Sequence, residues 1–243
     1  MKIKQLTTIL LALLVLGALN AQKNKSISGN GNMTTLVRTT ADYEHIAISG
    51  SFDIELVDGH EGKITLKGDE NILDHIITEV SNNKLVIKME KGYNLNSSIW
   101  KKGVFITIPV ESIASLTLSG SGNIIGKKTI KSDYFETSIS DSGDVTLSLD
   151  TQSVKASMSG SGDMALSGNT SSFEVNISGS GDINAYNLIA DNVNVTVSGS
   201  ANVEVTANQR IDAKVSGSGN IDYRGNPEKV NSKVSGSGDI TKH

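Results

Sequence analysis

Met158-Ser159-Gly160-Ser161-Gly162-Asp163-Met164 is one copy of a string that returns along the whole chain. Ser119 to Asn123, Ser178 to Asp182, Ser216 to Asn220 and Ser235 to Asp239 also read S-G-S-G-[DN], each followed by Ile. Looser copies begin at Ser28, Ser49, Ser140 and Ser198. From Ser119 onward the starts lie 21, 19, 19, 20, 18 and 19 residues apart. A steady period of about 20 residues is the signature of a solenoid, whose repeats cannot bury an apolar face alone and stack to do so.

The residues around each copy show how the rung is built. Counting from the first Ser, position −1 is Leu118, Ile139, Met158, Ile177, Val197, Val215 and Val234. Position −5 is Ala114, Phe135, Val154, Phe173, Val193, Ile211 and Val230, and position +5 is Ile124, Val145, Met164, Ile183, Val203, Ile221 and Ile240. Apolar columns separated by polar −2 and −4 positions describe an inward-facing strand, a sharp corner and a second inward-facing strand. At about 3.3 Å per residue, a rung traces a perimeter of roughly 60 Å, with neighbours about 4.8 Å apart. The expected fold is all-β: a right-handed parallel β-helix-like solenoid of about 19–20 residues per rung. With 24 glycines, two prolines and 4% aromatics, the composition suits a thin coil better than a two-sheet sandwich.

Upstream the array is irregular. Between Ser49 and Ser119 the alternations at Ile54-Leu56 and Lys63 to Lys67 read as strands, and Val104 to Ile108 leads back into the repeat. Ile72, Leu73, Ile76 and Ile77 recur at helical spacing behind Asp69, which predicts one short helix. Asn82-Asn83 between apolar alternations predicts a β-hairpin. The expected organisation is a signal peptide over 1–21, a polar leader over 22–40, an N-terminal β segment over 41–118 and the regular array over 119–243. Lys2, Lys4, the apolar run from Ile9 to Leu19 and Ala21 carry the signal-peptide reading. That run is too short for a spanning helix, so no transmembrane segment is expected after its removal. With no cysteine, a thiol-linked lipid anchor is excluded.

The net charge of −4 is dispersed and forms no basic stripe, which argues against nucleic acid as a partner. The glycines of the corner are explained by positive φ and close stacking, and the following Asp or Asn by a bond to a nearby backbone N–H in an Asx turn. Gly160 to Ala165 matches a dinucleotide loop, but a strand pattern follows where a helix is needed, and no cofactor is expected. One acid per rung is too few for a calcium cage. Asp144, Asp163 and Asp182 should nonetheless stack, and such a ladder would recruit a loosely held cation. His45, His60, His75 and His243 are scattered and read as surface residues, with no metal-ligand or catalytic spacing. Tyr93 and Trp100, in the polar loop 91–103, are the candidate ligand residues: an aromatic platform for a sugar ring or a lid on the end of the coil.

Tyr43-Glu44-His45-Ile46 running into Ser49-Gly50-Ser51-Phe52-Asp53-Ile54, then Gly59, Asp69-Glu70-Asn71-Ile72-Leu73, Lys84-Leu85-Val86-Ile87 and the iterated corner resemble the head-GIN-domain family of auto-transporter adhesins. The resemblance covers residues 40 to 243. It implies a β-helix-like fold, no catalytic residues to carry over, and adhesion at the cell envelope. The resulting expectation is an exported, non-enzymatic solenoid in the periplasm, on the outer membrane surface or outside the cell. Its partner would be an envelope protein or polysaccharide. A glycan-binding module using the 91–103 loop is the alternative, and a carbohydrate-active enzyme the third reading. The last rung, ending at Thr241-Lys242-His243, leaves a strand edge through which a homo-oligomer could form.

Overall fold

The computed structural model describes residues 25–95 and 103–243. The expected signal peptide, over 1–21, and Trp100 lie outside them. β1 (Lys25–Ile27) and β2 (Met33–Thr39) are followed by the first corner, at which β3 (His45–Ser49) turns through Gly50-Ser51 into β4 (Phe52–Asp58). β5 (Lys63–Asp69) returns, α1 (Glu70–Leu73) crosses the end of the core, and β6 (Ile76–Ser81) forms an antiparallel hairpin with β7 (Lys84–Met89). Asn82 and Asn83 hold that turn with φ of 51° and 59°, the conformation a two-residue hairpin turn demands. β8 (Tyr93–Leu95) pairs with β1, and β9 (Val104–Val110) closes the irregular part.

β7 and β9 do not continue the stack upward. β7 lies beside β3 in parallel, Ile48 opposite Ile87, and β9 lies beside β4, Ile54 opposite Ile106. A rung that comes later in the chain is therefore slipped beneath the first one. β10 (Ser115–Gly120) then returns to the other side of β3, Leu118 opposite Ile48. Among the described residues, β5 to β9 build this underlying rung and, with β2, its cover. β5 and β6 run antiparallel along its two edges, β2 runs antiparallel to β5, and Ile72 and Leu73 of α1 plug the end with no exposed surface. Arg38, from β2, fastens the plug. Its guanidinium donates to the Ile76 carbonyl, to the Leu73 carbonyl at 2.7 Å and to Thr78 Oγ1 at 3.1 Å.

From β10 the coil is regular, through β11 (Asn123–Asp141), β12 (Asp144–Gly160), β13 (Met164–Gly179), β14 (Ile183–Gly199), β15 (Asn202–Gly217), β16 (Asn220–Arg224), β17 (Lys229–Gly236) and β18 (Asp239–Lys242). Every pair is parallel, and the register steps follow the sequence spacing: Phe135 on Val154, Val154 on Phe173, Phe173 on Val193. The fold is thus the β-solenoid that the repeat predicted. The −1 and +5 columns are buried from Leu118 to Val215 and from Ile124 to Ile221, and the −5 column from Phe135 to Ile211. On the last rung Val230 and Val234 are 46% and 42% exposed. A further inward column at −3 holds Leu116, Thr137, Ala156, Val175, Val195 and Ala213.

The corner owes its glycines to two separate constraints. Gly160 has φ of 143°, and a Cβ there would lie 2.1 Å from the Asp141 carbonyl oxygen of the rung below. Gly162, whose φ lies outside the left-handed region, would place a Cβ 2.0 Å from the Gly143 carbonyl oxygen. Side chains are excluded because the backbones stack this closely. The contact is hydrogen-bonded: Ser161 and Gly162 N–H both donate to the Asp141 carbonyl, at 2.8 and 3.1 Å.

Candidate functional site

The residue that ends each corner points to the outer edge of the rod and joins one rung to the next. Asp144 Oδ1 accepts the Asp163 N–H at 3.0 Å, Asp163 Oδ1 accepts the Asp182 N–H at 3.1 Å, and Asp182 Oδ1 accepts the Asn202 N–H at 2.9 Å. The Asn220 side-chain oxygen accepts the Asp239 N–H at 3.1 Å. The expected local Asx turn is thus replaced by a bond to the next rung, because parallel stacking brings that N–H within reach. Either Asp or Asn supplies the acceptor, and Asn adds a donor, as where Asn202 Nδ2 reaches Asp182 Oδ1 at 3.1 Å. Beside this edge runs a groove of about 300 Å³ lined by Asp144, Thr146, Asp163, Ala165, Asp182 and Asn184. Asp144, Asp163 and Asp182 stand on successive rungs, and their oxygens do not all converge on one point.

The next face is polar. Its −4 column runs Glu136, Lys155, Glu174, Asn194, Asp212, Asn231, and its −2 column Ser138, Ser157, Asn176, Thr196, Lys214, Lys233. Neighbouring rungs pair across it: Lys155 Nζ stands 3.2 Å from Glu136 Oε1, and Asn231 Nδ2 donates to Asp212 Oδ1 at 2.7 Å. The bond from Arg210, then that from Asn231, holds the Asp212 carboxyl below its ordinary value.

Tyr93 lies where the underlying rung would turn its corner. Two residues link Ser49 to Phe52, but fifteen link their partners Lys88 and Val104. The Tyr93 ring is stacked on His75, centroids 4.0 Å apart, and His75 Nδ1 lies 2.7 Å from Glu90 Oε2. The Lys25 ammonium is 5.9 Å from the same ring. Tyr93 is therefore half-buried and held in place, beside a concavity of about 610 Å³ that also touches Ser49, Ser51, Met89, Glu90 and Asn94.

One cluster was not singled out by spacing. His60 and Glu61 sit in the β4–β5 link and Glu111 follows β9; each offers a ligand atom, all within 4.8 Å of one another. His60 Nδ1 is 2.6 Å from Glu111 Oε2, and Glu61 Oε1 accepts the Glu111 N–H at 2.7 Å. His60 is exposed, as its sequence context suggested, but β4 and β9 bring it to Glu111. Their concavity of about 470 Å³ is also lined by Asp42, Tyr43 and Glu44 and by no Lys or Arg. The buried Tyr43 hydroxyl donates to the Pro109 carbonyl at 2.6 Å, and burial, then Glu61, push its pKa up. The other histidines are apart: His45 Nδ1 meets Ser115 Oγ at 2.8 Å and His243 Nε2 meets Asp222 Oδ1 at 3.0 Å. No helix among the described residues is long and apolar enough to cross a membrane.

Solved structures share this architecture. An adhesin described as putative from Bacteroides fragilis NCTC 9343 superposes with a TM-score of 0.83 at 24% identity, covering 89% of this chain and all of that one. A protein from Parabacteroides distasonis ATCC 8503, described as a putative lipid binding protein, gives 0.71 at 28% identity, over 90% of this chain and 100% of that one. A putative adhesin from Parabacteroides merdae ATCC 43184 gives 0.69 at 21% identity, over 90% and 99%. No curated protein sequence matches the chain. Residues 42–227 match the family model described as "Putative auto-transporter adhesin, head GIN domain", and the chain belongs to that family.

Proposed function

We propose that this protein is an exported, non-enzymatic solenoid that makes adhesive or envelope interactions through its outer polar faces. The supporting observation is the division of labour within each rung. Inward positions are filled mainly by apolar side chains, while outward positions repeat small polar or charged groups in straight columns. Columns with a rise of about 4.8 Å offer an extended polymer or protein surface many weak contacts at once. Family membership supports adhesion, and the signal-peptide pattern of residues 1–21 supports export to the periplasm, outer membrane surface or exterior. The partner class is an envelope protein or polysaccharide. Self-association through β17 and β18 belongs to this reading, because Val230 and Val234 of the last rung stay exposed.

Protease shaving of intact cells and then of spheroplasts, together with pull-down from envelope extract, tests the proposal. Cell-surface or periplasmic accessibility is expected, as is capture of an envelope component that the double variant Ser157→Lys, Asn176→Lys no longer captures. A protein confined to the cytoplasm, or capture untouched by the face variant, overturns it. Sedimentation tests the edge: a monomer at every concentration removes self-association.

The second reading, a glycan-binding module on the 91–103 loop, is favoured by the fixed Tyr93 ring beside its concavity. Tyr93→Ala should then stay folded and lose signal on a glycan array; unchanged signal removes this reading. Depolymerisation of an acidic polysaccharide by the pure protein would promote the carbohydrate-active enzyme instead.

A further inference from the structure

We propose that His60, Glu61 and Glu111 form a zinc-binding site at the covered end of the solenoid. β4 and β9 pair in parallel with Asp58 opposite Val110. The pairing sets the link that carries His60 and Glu61 beside Glu111, although about fifty residues separate them in sequence. Glu61 Oε1 is already tied to the Glu111 backbone at 2.7 Å, so the two acidic residues are held together without an ion.

The donor set distinguishes this cluster from the Asp ladder along the corner. One imidazole nitrogen and two carboxylates are three protein ligands of the types zinc takes, leaving a position for water or another donor. The imidazole disfavours calcium and magnesium, which prefer oxygen alone. Zinc ligands at about 2.0–2.2 Å from the metal stand roughly 3.4 Å apart in a tetrahedron. His60 Nδ1 and Glu111 Oε2, now 2.6 Å apart, would open by less than about an ångström. Both side chains are exposed, so rotamer adjustment meets no packing.

The surrounding charge favours a dication. Asp42 and Glu44 line the same concavity, which contains neither Lys nor Arg. The nearby Lys128 ammonium is committed elsewhere, to Asp58 Oδ1 at 2.6 Å and to the Val110 and Glu111 carbonyls at 3.0 and 3.2 Å. A bound ion would tie the β4–β5 link to the end of β9.

Titration of the purified chain with zinc alone, read by competition with a chromophoric zinc indicator, tests the site. One equivalent is expected, with X-ray absorption showing one imidazole among oxygen ligands. His60→Ala should abolish that equivalent, and Glu111→Gln should weaken it at least about tenfold. His243→Ala, far from the cluster, should leave it intact. Circular dichroism guards against misfolding, and Glu111→Gln serves if His60→Ala does not fold. No stoichiometric zinc, or zinc uptake that survives both cluster substitutions, overturns the proposal.

Discussion

Asp144 Oδ1 receives the backbone N–H of Asp163, one rung above it, at 3.0 Å, and Asp163 does the same for Asp182. An acceptor is needed there but a charge is not, and like charges about 4.8 Å apart repel by roughly 1 kcal/mol even in water. Replacing Asp144, Asp163 and Asp182 together by Asn should therefore raise the melting temperature at low ionic strength, the gain shrinking with added salt. Asp163→Ala, which removes the acceptor, should cost about 1 kcal/mol. Thermal melts of the two variants across a salt series check both directions.

Asp141 occupies the corner position held by glycine at Gly120, Gly160, Gly179, Gly199, Gly217 and Gly236, with φ of 129°. Only its carbonyl is used by the next rung, and glycine keeps that. Asp141→Gly should stabilise by about 1 kcal/mol or more, since non-glycine residues in this region are strained. Gly160→Ala should destabilise by about 3 kcal/mol or more, combining that strain with overlap against the Asp141 carbonyl. Urea midpoints measure both.

Thr137 is fully buried in the −3 column, and its Oγ1 has no hydrogen-bond partner. Thr137→Val replaces the hydroxyl by a methyl of similar size and should stabilise by about 1 kcal/mol. A melting temperature lower than wild type would show that the Thr137 hydroxyl is satisfied in the folded core.

Arg38 holds the Leu73 and Ile76 carbonyls and Thr78 across the covered end. Arg38→Met keeps much of the aliphatic stem but frees these acceptors, at a cost of roughly 2–3 kcal/mol. Hydrogen exchange should accelerate first in α1 and β6, leaving β12 to β14 protected.

The depressed Asp212 carboxyl gives acid sensitivity of a definite sign. A carboxyl with a folded pKa below its unfolded value stabilises above the ordinary value of about 3.8, and this stabilisation is lost as pH falls through the folded value. Because the pair with Arg210 is a third or more exposed, the effect is a few tenths of a kcal/mol. Asp212→Asn should be slightly less stable than wild type at pH 7 and equal to it near pH 2 in urea titrations.

Much of the coil was legible because each rung repeats the same residues at the same offsets. Columns such as Phe135, Val154, Phe173 and Val193 announce their register, and Gly-Ser-Gly marks the corner. The underlying rung of β7 and β9 carried no such mark. Its alternation is that of any half-buried strand, and nothing local says that Ile87 stacks on Ile48 rather than on a later rung. The meeting of His60 with Glu111 depends on that same arrangement, so it was hidden as well. Its only trace is that both residues closely follow Asp58 and Val110, the ends of alternating strands whose pairing must be known first. The Asp and Asn positions were readable as hydrogen-bonding residues, but their partner belonged to another rung.

The order in which the chain visits its layers also sets an order of assembly. β10 has a surface to settle on only once β3 is in place, and β3 is backed by β7, which is synthesised later than β3 and earlier than β10. The segment from β2 to β9, which ends at Val110, thus forms a foundation that becomes complete before the regular rungs arrive. Each later rung then needs only the one preceding it, laid down about 20 residues earlier, as a template. A chain that emerges N-terminus first can therefore wind itself up in the direction in which it appears, with each new segment meeting a finished edge.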